Sequence, residues 1–180
     1  MKPSPSHAVA PVIETKRLKL RAFEAPDLPD FCELWNESIV ARYITGKALS
    51  VEDHWGRLLK MPGHWQFVGF GTWAITERTT GAIIGQCGFL DYRREMPVPM
   101  KEPEMGWALS GRYHGKGLAY EATSAALAWF DQHFNHPITA CIIDPTNVPS
   151  QKLAAKLGYR QVASTEYKGK PTLLFHRLKT

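Results

Sequence analysis

Hydrophobic and polar residues alternate with a period of two along much of the chain, which is the pattern of half-buried β-strands. In residues 18–23, for instance, apolar side chains alternate with Lys19 and Arg21. The segments predicted as strands, either from alternation or as buried apolar runs, are Leu18–Phe23, Gly71–Glu77, Ala82–Tyr92, Glu104–Ser110, Ile138–Ile143, Tyr159–Tyr167 and Thr172–Leu178. Turn-forming residues at 78–81 and 168–170 predict that two pairs of these strands are hairpins.

Other segments carry the helical period of 3.6 residues together with capping signals at their ends. The predicted helices are Asp27–Asn36, Ser50 to the residue before Pro62, Leu118 to about Phe134, and Pro149–Leu157, the last ended by Gly158. Residues 96–103 are rich in proline and predict a loop.

The order of these elements predicts a single α/β domain with a mixed, mostly antiparallel sheet and helices on both faces. One parallel β-α-β crossover is expected at its centre, from strand Glu104–Ser110 through helix Leu118–Phe134 to strand Ile138–Ile143. Residues 14–180 form the predicted domain, and the Pro/Ser-rich residues 1–13 are expected to be a flexible tail.

Composition narrows the class of protein. The chain has 180 residues, of which 44% are hydrophobic, enough for one ordinary domain of roughly 100–200 residues. The net charge of +5 is not concentrated in one basic block, which disfavours a nucleic-acid partner. No apolar run approaches the ~18 residues that span a bilayer. Cys32, Cys87 and Cys141 are widely spaced, which disfavours a metal site and favours reduced thiols in the cytoplasm.

The segment with the clearest chemistry is the glycine-rich turn between a predicted strand and a predicted helix. Backbone N–H groups at a helix N-terminus lack internal partners, and the helix dipole favours anions there. Gly115 and Gly117 would let these amides approach a phosphate, and Arg112 and Lys116 would add positive charge. The turn therefore predicts a phosphate or pyrophosphate site.

Two common nucleotide-binding loops do not fit this turn. A Walker A loop has four residues between its first glycine and Gly-Lys, but only three separate Gly111 from Gly115. A dinucleotide-binding G-x-G-x-x-G motif would need glycine where the chain has Tyr120. The predicted pyrophosphate site thus belongs to another class.

Residues 112–117 read R-x-x-G-x-G, which resembles the coenzyme A pyrophosphate loop of the GCN5-related N-acetyltransferases (GNAT), Q/R-x-x-G-x-G/A. The longer run Glu104–Ala122 resembles the RimJ/RimL-like branch of ribosomal-protein N-acetyltransferases, and Glu14–Arg21 resembles its opening strand. Residues 147–150 and 156–159 are similar to its downstream coenzyme A-binding segment. The resemblance covers nearly the whole predicted domain and implies a GNAT-like fold with acetyl-CoA as cosubstrate.

The resemblance also implies a set of cofactor-binding residues. Loop amides would hold the pyrophosphate, the preceding strand would contact the pantetheine arm, and two polar side chains after the next strand would complete the site. These positions are Trp107, Ala108, Leu109, Arg112, His114, Gly115, Lys116, Gly117, Leu118, Ala119, Asn147 and Ser150. A turn at Asn147 and a helix cap at Ser150 are compatible structural roles.

Two proton transfers accompany acetylation of an amine. Glu104 is the first candidate for the base, with Asp91 and His114 as alternatives, and a structural role for Glu104 is also open. Relatives carry a tyrosine acid where this chain has Ala154, so Ser150 or water is expected to assist the leaving thiolate. No His–Asp arrangement accompanies a cysteine, which favours direct transfer.

The acceptor is predicted only as a class. A primary amine on a protein N-terminus is the first interpretation, an antibiotic or polyamine is an alternative, and a non-catalytic coenzyme A-binding regulatory module is another. Aromatic residues at 64–73 are candidates for an acceptor pocket or for core packing, and Arg93 and Arg94 could attract an acidic acceptor or face solvent. We expect a cytoplasmic monomer or homodimer with neither membrane nor nucleic-acid partners.

Overall fold

The computed structural model describes residues 9–179, which form strands and helices in the predicted order. The strands are β1 (Ile13–Glu14), β2 (Leu18–Arg21), β3 (Thr72–Glu77), β4 (Ile83–Leu90), β5 (Glu104–Leu109), β6 (Ile138–Ile143), β7 (Arg160–Tyr167) and β8 (Lys170–Leu178). The helices are α1 (Leu28–Asn36), α2 (Ser38–Ile44), α3 (Val51–Val68), α4 (Leu118–His133) and α5 (Val148–Lys156). Within residues 9–179 no helix combines the length and apolarity needed to cross a bilayer.

The strands form one sheet in the order β1-β2-β3-β4-β5-β6-β8-β7. Every described pair of neighbours is antiparallel except β5 and β6, which are parallel and joined through α4. This topology confirms the predicted α/β fold and its one parallel crossover.

Helices cover both faces of the sheet, as predicted. On one face α4 and α5 pack on the larger hydrophobic core, where Phe130 of α4 stacks on Phe89 of β4 with ring centroids 3.9 Å apart. On the other face α1, α2 and α3 enclose a second core around Phe31, Trp35 and Met61. β4 and β5 therefore lie at the centre of the domain, between the two helical layers.

The parallel strands β5 and β6 separate soon after they meet. They pair at Glu104 and Ala140, and the Ala140 N–H donates to the Pro103 carbonyl at 2.9 Å. Among the described residues no further ladder pair joins them along the rest of β5. The two strands therefore open a wedge towards Leu109, the end of β5 that leads into the glycine-rich turn.

Helix α3 corrects the prediction that the second helix ends before Pro62. It begins at a capping box formed by Ser50 and Asp53 and runs to Val68, with Gly69 in the left-handed conformation as its cap. An internal proline costs roughly 3 kcal/mol. The buried side chains that continue on both sides of it, Leu58, Met61 and Trp65, each contribute about 1.5–3 kcal/mol. The free energy gained by burying these side chains therefore exceeds the cost of the internal proline, and the helix continues through Pro62.

The remaining differences concern short elements and the amino terminus. The pattern did not predict α2, because exposed Ile39 and Ile44 interrupt any single buried stripe, and it did not predict the two-residue strand β1. The predicted tail falls largely on residues 1–8, which lie outside the described residues. Its boundary is corrected, because Ala10 is buried and the Trp73 Nε1–H donates to the Pro11 carbonyl at 2.7 Å.

Candidate active site

A cleft of about 530 Å³ lies at the open end of the wedge. Its walls are the end of β5, the glycine-rich turn, the first turn of α4, helix α2 and one side of α5. The lining is mostly apolar, with a few polar groups supplied by the turn and by α5. A cleft of this size, shape and composition is typical of a site for an extended cofactor.

The glycine-rich turn presents unpaired backbone donors to this cleft. Gly115 and Gly117 have φ angles of 74° and 75°, so both adopt the left-handed conformation that glycine tolerates best. Within the described chain, the backbone N–H groups of residues 115–120 donate no hydrogen bond to another protein group. Because α4 begins at Leu118, its dipole adds partial positive charge. The turn fits a pyrophosphate.

Most of the predicted cofactor residues line this cleft. They are Trp107, Ala108, Leu109, His114, Gly115, Gly117, Leu118, Ala119, Asn147 and Ser150. Their contacts with a bound cofactor stay predictions.

Arg112 and Lys116 lie outside the lining, contrary to the expectation that they supply its charge. The Arg112 guanidinium pairs with Glu33 of α1 at 2.7 Å, with both side chains largely exposed. The Lys116 ammonium stands over the Tyr113 ring, 5.2 Å from its centroid. Glu33 lies outside the cleft lining and holds Arg112 there, whereas Tyr113, under the Lys116 ammonium, belongs to the lining.

The cations that do line the cleft are Arg42 of α2 and Lys152 and Lys156 of α5. Sequence reasoning missed Arg42 because α2 itself was not predicted. The spacing of Lys152 and Lys156 could have revealed them, since residues four apart on a helix share a face. These side chains can offset the negative charge of a phosphate group without touching the turn.

Asn147 and Ser150 combine a structural role with a place in the cleft. The Asn147 side chain caps α5 by accepting a hydrogen bond from the Ser150 N–H at 3.2 Å. The Trp107 Nε1–H in turn donates to Ser150 Oγ at 3.3 Å. Ser150 therefore keeps its own hydroxyl hydrogen available to a group in the cleft, as a predicted thiolate partner would need.

The opening strand is anchored to the glycine-rich turn by side-chain contacts. Arg17 donates through Nη1 to the Lys116 carbonyl at 2.9 Å and through Nε to Glu121 Oε2 at 2.7 Å. Thr15 donates to Glu121 Oε1 at 2.7 Å. Burial of Glu121 raises its pKa, but the hydrogen bonds from Thr15 and Arg17 outweigh this and lower it. Glu121 is thus a structural carboxylate that holds the turn in place.

The two faces of β5 carry different chemistry. Successive strand residues point to opposite faces, so Trp107 faces the core that α4 and α5 cover while Glu104 and Ala108 face α1 and α3. Glu104 is buried, and its two carboxylate oxygens accept from Arg94 at 2.5 and 2.8 Å. The predicted base is therefore also one half of a buried ion pair.

None of the cysteines has the environment of a nucleophile. Cys87 and Cys141 are buried, and burial raises the pKa of both thiols. Burial also raises the pKa of Cys32 on α1. A raised pKa keeps a thiol protonated and unreactive, which supports the prediction of direct transfer.

The aromatic stretch at residues 64–73 divides between the core and the surface. Trp65, Phe70 and Trp73 belong to the larger hydrophobic core, so their interpretation as core residues is correct. Phe67 is 86% exposed. Only His64 reaches the neighbourhood of Glu104 and Tyr92, and its ring centroid lies 5.0 Å from that of Tyr92.

Comparison with known proteins agrees with this architecture. Residues 17–160 match the acetyltransferase (GNAT) domain family. YnaD of Bacillus subtilis (strain 168), described as an uncharacterized N-acetyltransferase, is 29% identical over 149 residues, which cover 83% of this chain and 82% of YnaD.

Solved structures share the fold. An acetyltransferase from Agrobacterium tumefaciens str. C58 superimposes with a TM-score of 0.79 at 26% identity, over 93% of this chain and 94% of that one. RimL, the ribosomal L7/L12 α-N-protein acetyltransferase solved with coenzyme A, superimposes with a TM-score of 0.77 at 15% identity, over 93% and 98% of the two chains. The chain belongs to the GNAT acetyltransferase family, and its acetyl donor is acetyl-coenzyme A.

Proposed function

We propose that this enzyme transfers the acetyl group of acetyl-CoA directly to the α-amine of a protein N-terminus. The observation that carries the proposal is the division of β5 into two faces. The cleft with unpaired amides that suit the pyrophosphate lies at the Leu109 end of the strand, whereas Glu104, on the face towards α1 and α3, lies outside its lining, and there we place the amine. Relatives named as ribosomal-protein acetyltransferases share the fold and act on such amines.

On the donor side, the proposal assigns each wall of the cleft a task. The amides of residues 115–120 would hold the pyrophosphate, and Lys152 and Lys156 would add positive charge beside it. The edge of β5 that β6 leaves unpaired offers backbone groups to the pantetheine arm and to the thioester carbonyl. Such preorganised donors can stabilise developing negative charge.

On the acceptor side, Gly106 lies between Glu104 and Ala108 and leaves the backbone of β5 open. A Cβ built at this glycine would meet only the Leu90 side chain, at 3.5 Å. The α-amine attacks the acetyl carbon from this side, the carbon–sulfur bond breaks, and the thiolate takes up a proton. An amine that enters beside Gly106 would not compete with the cofactor for space.

The proposal places the proton acceptor at Glu104 and the thiolate partner at Ser150. Both carboxylate oxygens of Glu104 accept hydrogen bonds from Arg94, and this carboxylate is the group that would take the proton from the amine. A free α-amine has a pKa of about 7.7–8.0, so a weak base suffices near neutral pH. Ala154, at the position of the family's tyrosine, is fully buried and cannot serve as the acid.

A polyamine or aminoglycoside acceptor is disfavoured by the charges on the acceptor face. Arg57 of α3 and Arg94 both lie on this face, and Glu104 is already paired with Arg94. A second positive charge on the acceptor would meet like charge in a site of low dielectric.

The test measures thiol release from acetyl-CoA in the presence of three acceptor classes: peptides with free N-termini, polyamines and aminoglycosides. With peptides we expect thiol release faster than the hydrolysis of acetyl-CoA without acceptor. The same peptides with a formyl group on the α-amine should give no such increase. Calorimetric binding of acetyl-CoA is measured in parallel. Turnover with polyamines or aminoglycosides alone would contradict the N-terminal assignment, because the donor site would be intact and the acceptor class wrong.

A further inference from the structure

The acceptor face contains buried polar atoms that no protein group satisfies. In the part of the chain that the structure describes, Trp35 Nε1, Arg57 Nη1, His64 Nε2 and Gln86 Oε1 are buried without a hydrogen-bond partner. Gln86 lies opposite Ala74 and Ala108 in the sheet and therefore faces the same helical layer as the other three. Unsatisfied buried polar groups are costly, and clusters of them mark sites that a ligand completes.

Arg57 is the most unusual member of this group. Its guanidinium lies over the Trp35 ring at 4.1 Å from the centroid. In residues 9–179 no carboxylate stands within ion-pair distance of it. Burial lowers its pKa, although the neighbouring Tyr92 partly opposes this. The Nη1 atom of Arg57 is buried while the residue as a whole is partly exposed, and a partly buried cation without a counterion is stabilised when a ligand provides one.

The other charged groups nearby are already neutralised by protein partners. Arg94 pairs with Glu104, and its guanidinium also stands over the rings of Tyr92 and Tyr167, at 5.1 and 4.6 Å from their centroids. Arg93 pairs with Asp91 at 3.6 Å on the exposed loop. Among the described residues, Arg57 is thus the arginine of this face that has no ion pair.

His64 does not change this balance near neutral pH. Its ring is half-buried beside Tyr92, and burial lowers its pKa below the usual value. A neutral imidazole supplies a hydrogen-bonding nitrogen rather than a charge. The unpartnered donors of Trp35 and Arg57 thus call for oxygen acceptors, with a negative charge opposite Arg57, and Gln86 Oε1 calls for a donor such as an N–H group of the acceptor.

We infer that the acceptor amine carries a carboxylate that pairs with Arg57. This inference rests on the proposed function, because it concerns the acceptor of the same reaction. A carboxylate has the single charge that balances Arg57 and two oxygens that match the guanidinium fork. In a protein acceptor, the carboxylate is the side chain of an acidic residue close to the acetylated N-terminus.

The experiment compares pairs of hexapeptides that differ only by aspartate or asparagine at the second, third or fourth position. Wild-type kcat/KM is measured for each pair, beside Arg57→Met, which removes the charge but keeps a long unbranched side chain, and Arg57→Lys. We expect one aspartate peptide to exceed its asparagine twin by about tenfold to hundredfold, the range for a hydrogen bond to a charged group. Arg57→Met should abolish that preference and Arg57→Lys should retain part of it.

The control variant is Arg93→Met, which removes an arginine of the adjacent loop whose side chain is 84% exposed. It should leave the acid preference unchanged. Calorimetry with the N-acetylated peptides in the presence of coenzyme A gives a second readout that needs no turnover. In this measurement too, Arg57→Met should weaken the binding of the aspartate peptide and leave that of the asparagine peptide unchanged.

The outcomes separate the inference from the proposed function. Equal acetylation of the aspartate and asparagine peptides would support the proposed function and overturn the inference that the acceptor carries a carboxylate. Acetylation of free aspartate or glutamate but of no peptide, lost in Arg57→Met, would support the carboxylate and overturn the protein acceptor. Bound acetyl-CoA with no turnover of peptides or amino acids would overturn both.

Discussion

The two faces of β5 are built in different ways. The cofactor cleft relies on the main chain, through left-handed glycines, free amides at the start of α4 and a strand edge left unpaired by β6. The acceptor face relies on charged side chains that are buried (Glu104) or partly buried (Arg57 and Arg94) and come from α3, β5 and the loop before it. The same strand therefore carries a site that depends on backbone shape and a site that depends on charge.

This difference explains how substitutions should act on each face. A main-chain site is insensitive to most side-chain changes but fails when a side chain occupies the space of the ligand. A site built from buried charges loses stability as soon as one member of a pair is removed. Three variants test this contrast.

The largest effect is expected for Gly117→Trp. The new side chain would enter the space in front of the α4 amides, and we expect acetyl-CoA affinity to fall at least about a thousandfold, or roughly 4 kcal/mol. The fold should persist, because a Cβ at Gly117 meets only Arg17 Nη2, at 3.7 Å. Calorimetry measures the affinity and circular dichroism the fold.

Gly169→Trp is the matched control for that variant. Gly169 has a φ of 73°, close to the 75° of Gly117, and a Cβ there meets nothing within 4 Å. The backbone strain is therefore similar, but the residue lies in the β7–β8 turn. A folded Gly117→Trp protein that binds acetyl-CoA as tightly as Gly169→Trp would remove the phosphate assignment.

A smaller but still large effect is expected for Glu104→Gln, this time on stability. Removing one partner of a buried ion pair costs about 3–5 kcal/mol, because Arg94 would stay buried without a counterion. Urea unfolding measures the loss, and the double variant Arg94→Met/Glu104→Gln should recover most of it. Acetyl-CoA affinity should not change, because Glu104 lies outside the cleft lining.

Turnover of the same variant tests the second role proposed for Glu104. If it accepts the proton, kcat falls in both the single and the double variant, whether or not stability is recovered. Equal kcat in the stable double variant and the wild type would assign Glu104 to the ion pair alone and remove it as the base.

The smallest effect is expected for Lys152→Met, which removes an exposed charge from the cleft. The Kd of acetyl-CoA should rise about two- to fivefold, as for other exposed charge interactions, and its salt dependence should weaken. Lys116→Met, although inside the glycine-rich turn, should change the Kd less than twofold, since its ammonium stands over Tyr113. A larger rise in Kd for Lys116→Met than for Lys152→Met would mean that the charge of the turn contributes to acetyl-CoA binding alongside its backbone amides.

The contrast also explains what the sequence could predict. Strand periodicity and glycine spacing are local signals, so the two hairpins, the parallel crossover and the turn at Gly115 and Gly117 followed from them. Residues on the acceptor face meet through long-range packing, and nothing near Arg57 in sequence indicates that Tyr92 lies beside it or that Glu104 lies near Tyr92. The ion pair of Arg112 with Glu33 could not be predicted either, because it forms only where α1 packs beside the turn.

The contacts of Arg17 with Lys116 and Glu121 have a consequence for how the enzyme assembles. The Arg17–Glu121 pair joins residues 104 positions apart, and contacts of such high sequence separation form late and slowly in folding. If the turn takes its binding shape only after Arg17 has reached it, acetyl-CoA selects molecules in which these distant segments have met. At a hundred times its Kd it would stabilise them by about 2.7 kcal/mol. Metabolic supply of the acetyl donor would then set not only the rate of the enzyme but also how much of it survives.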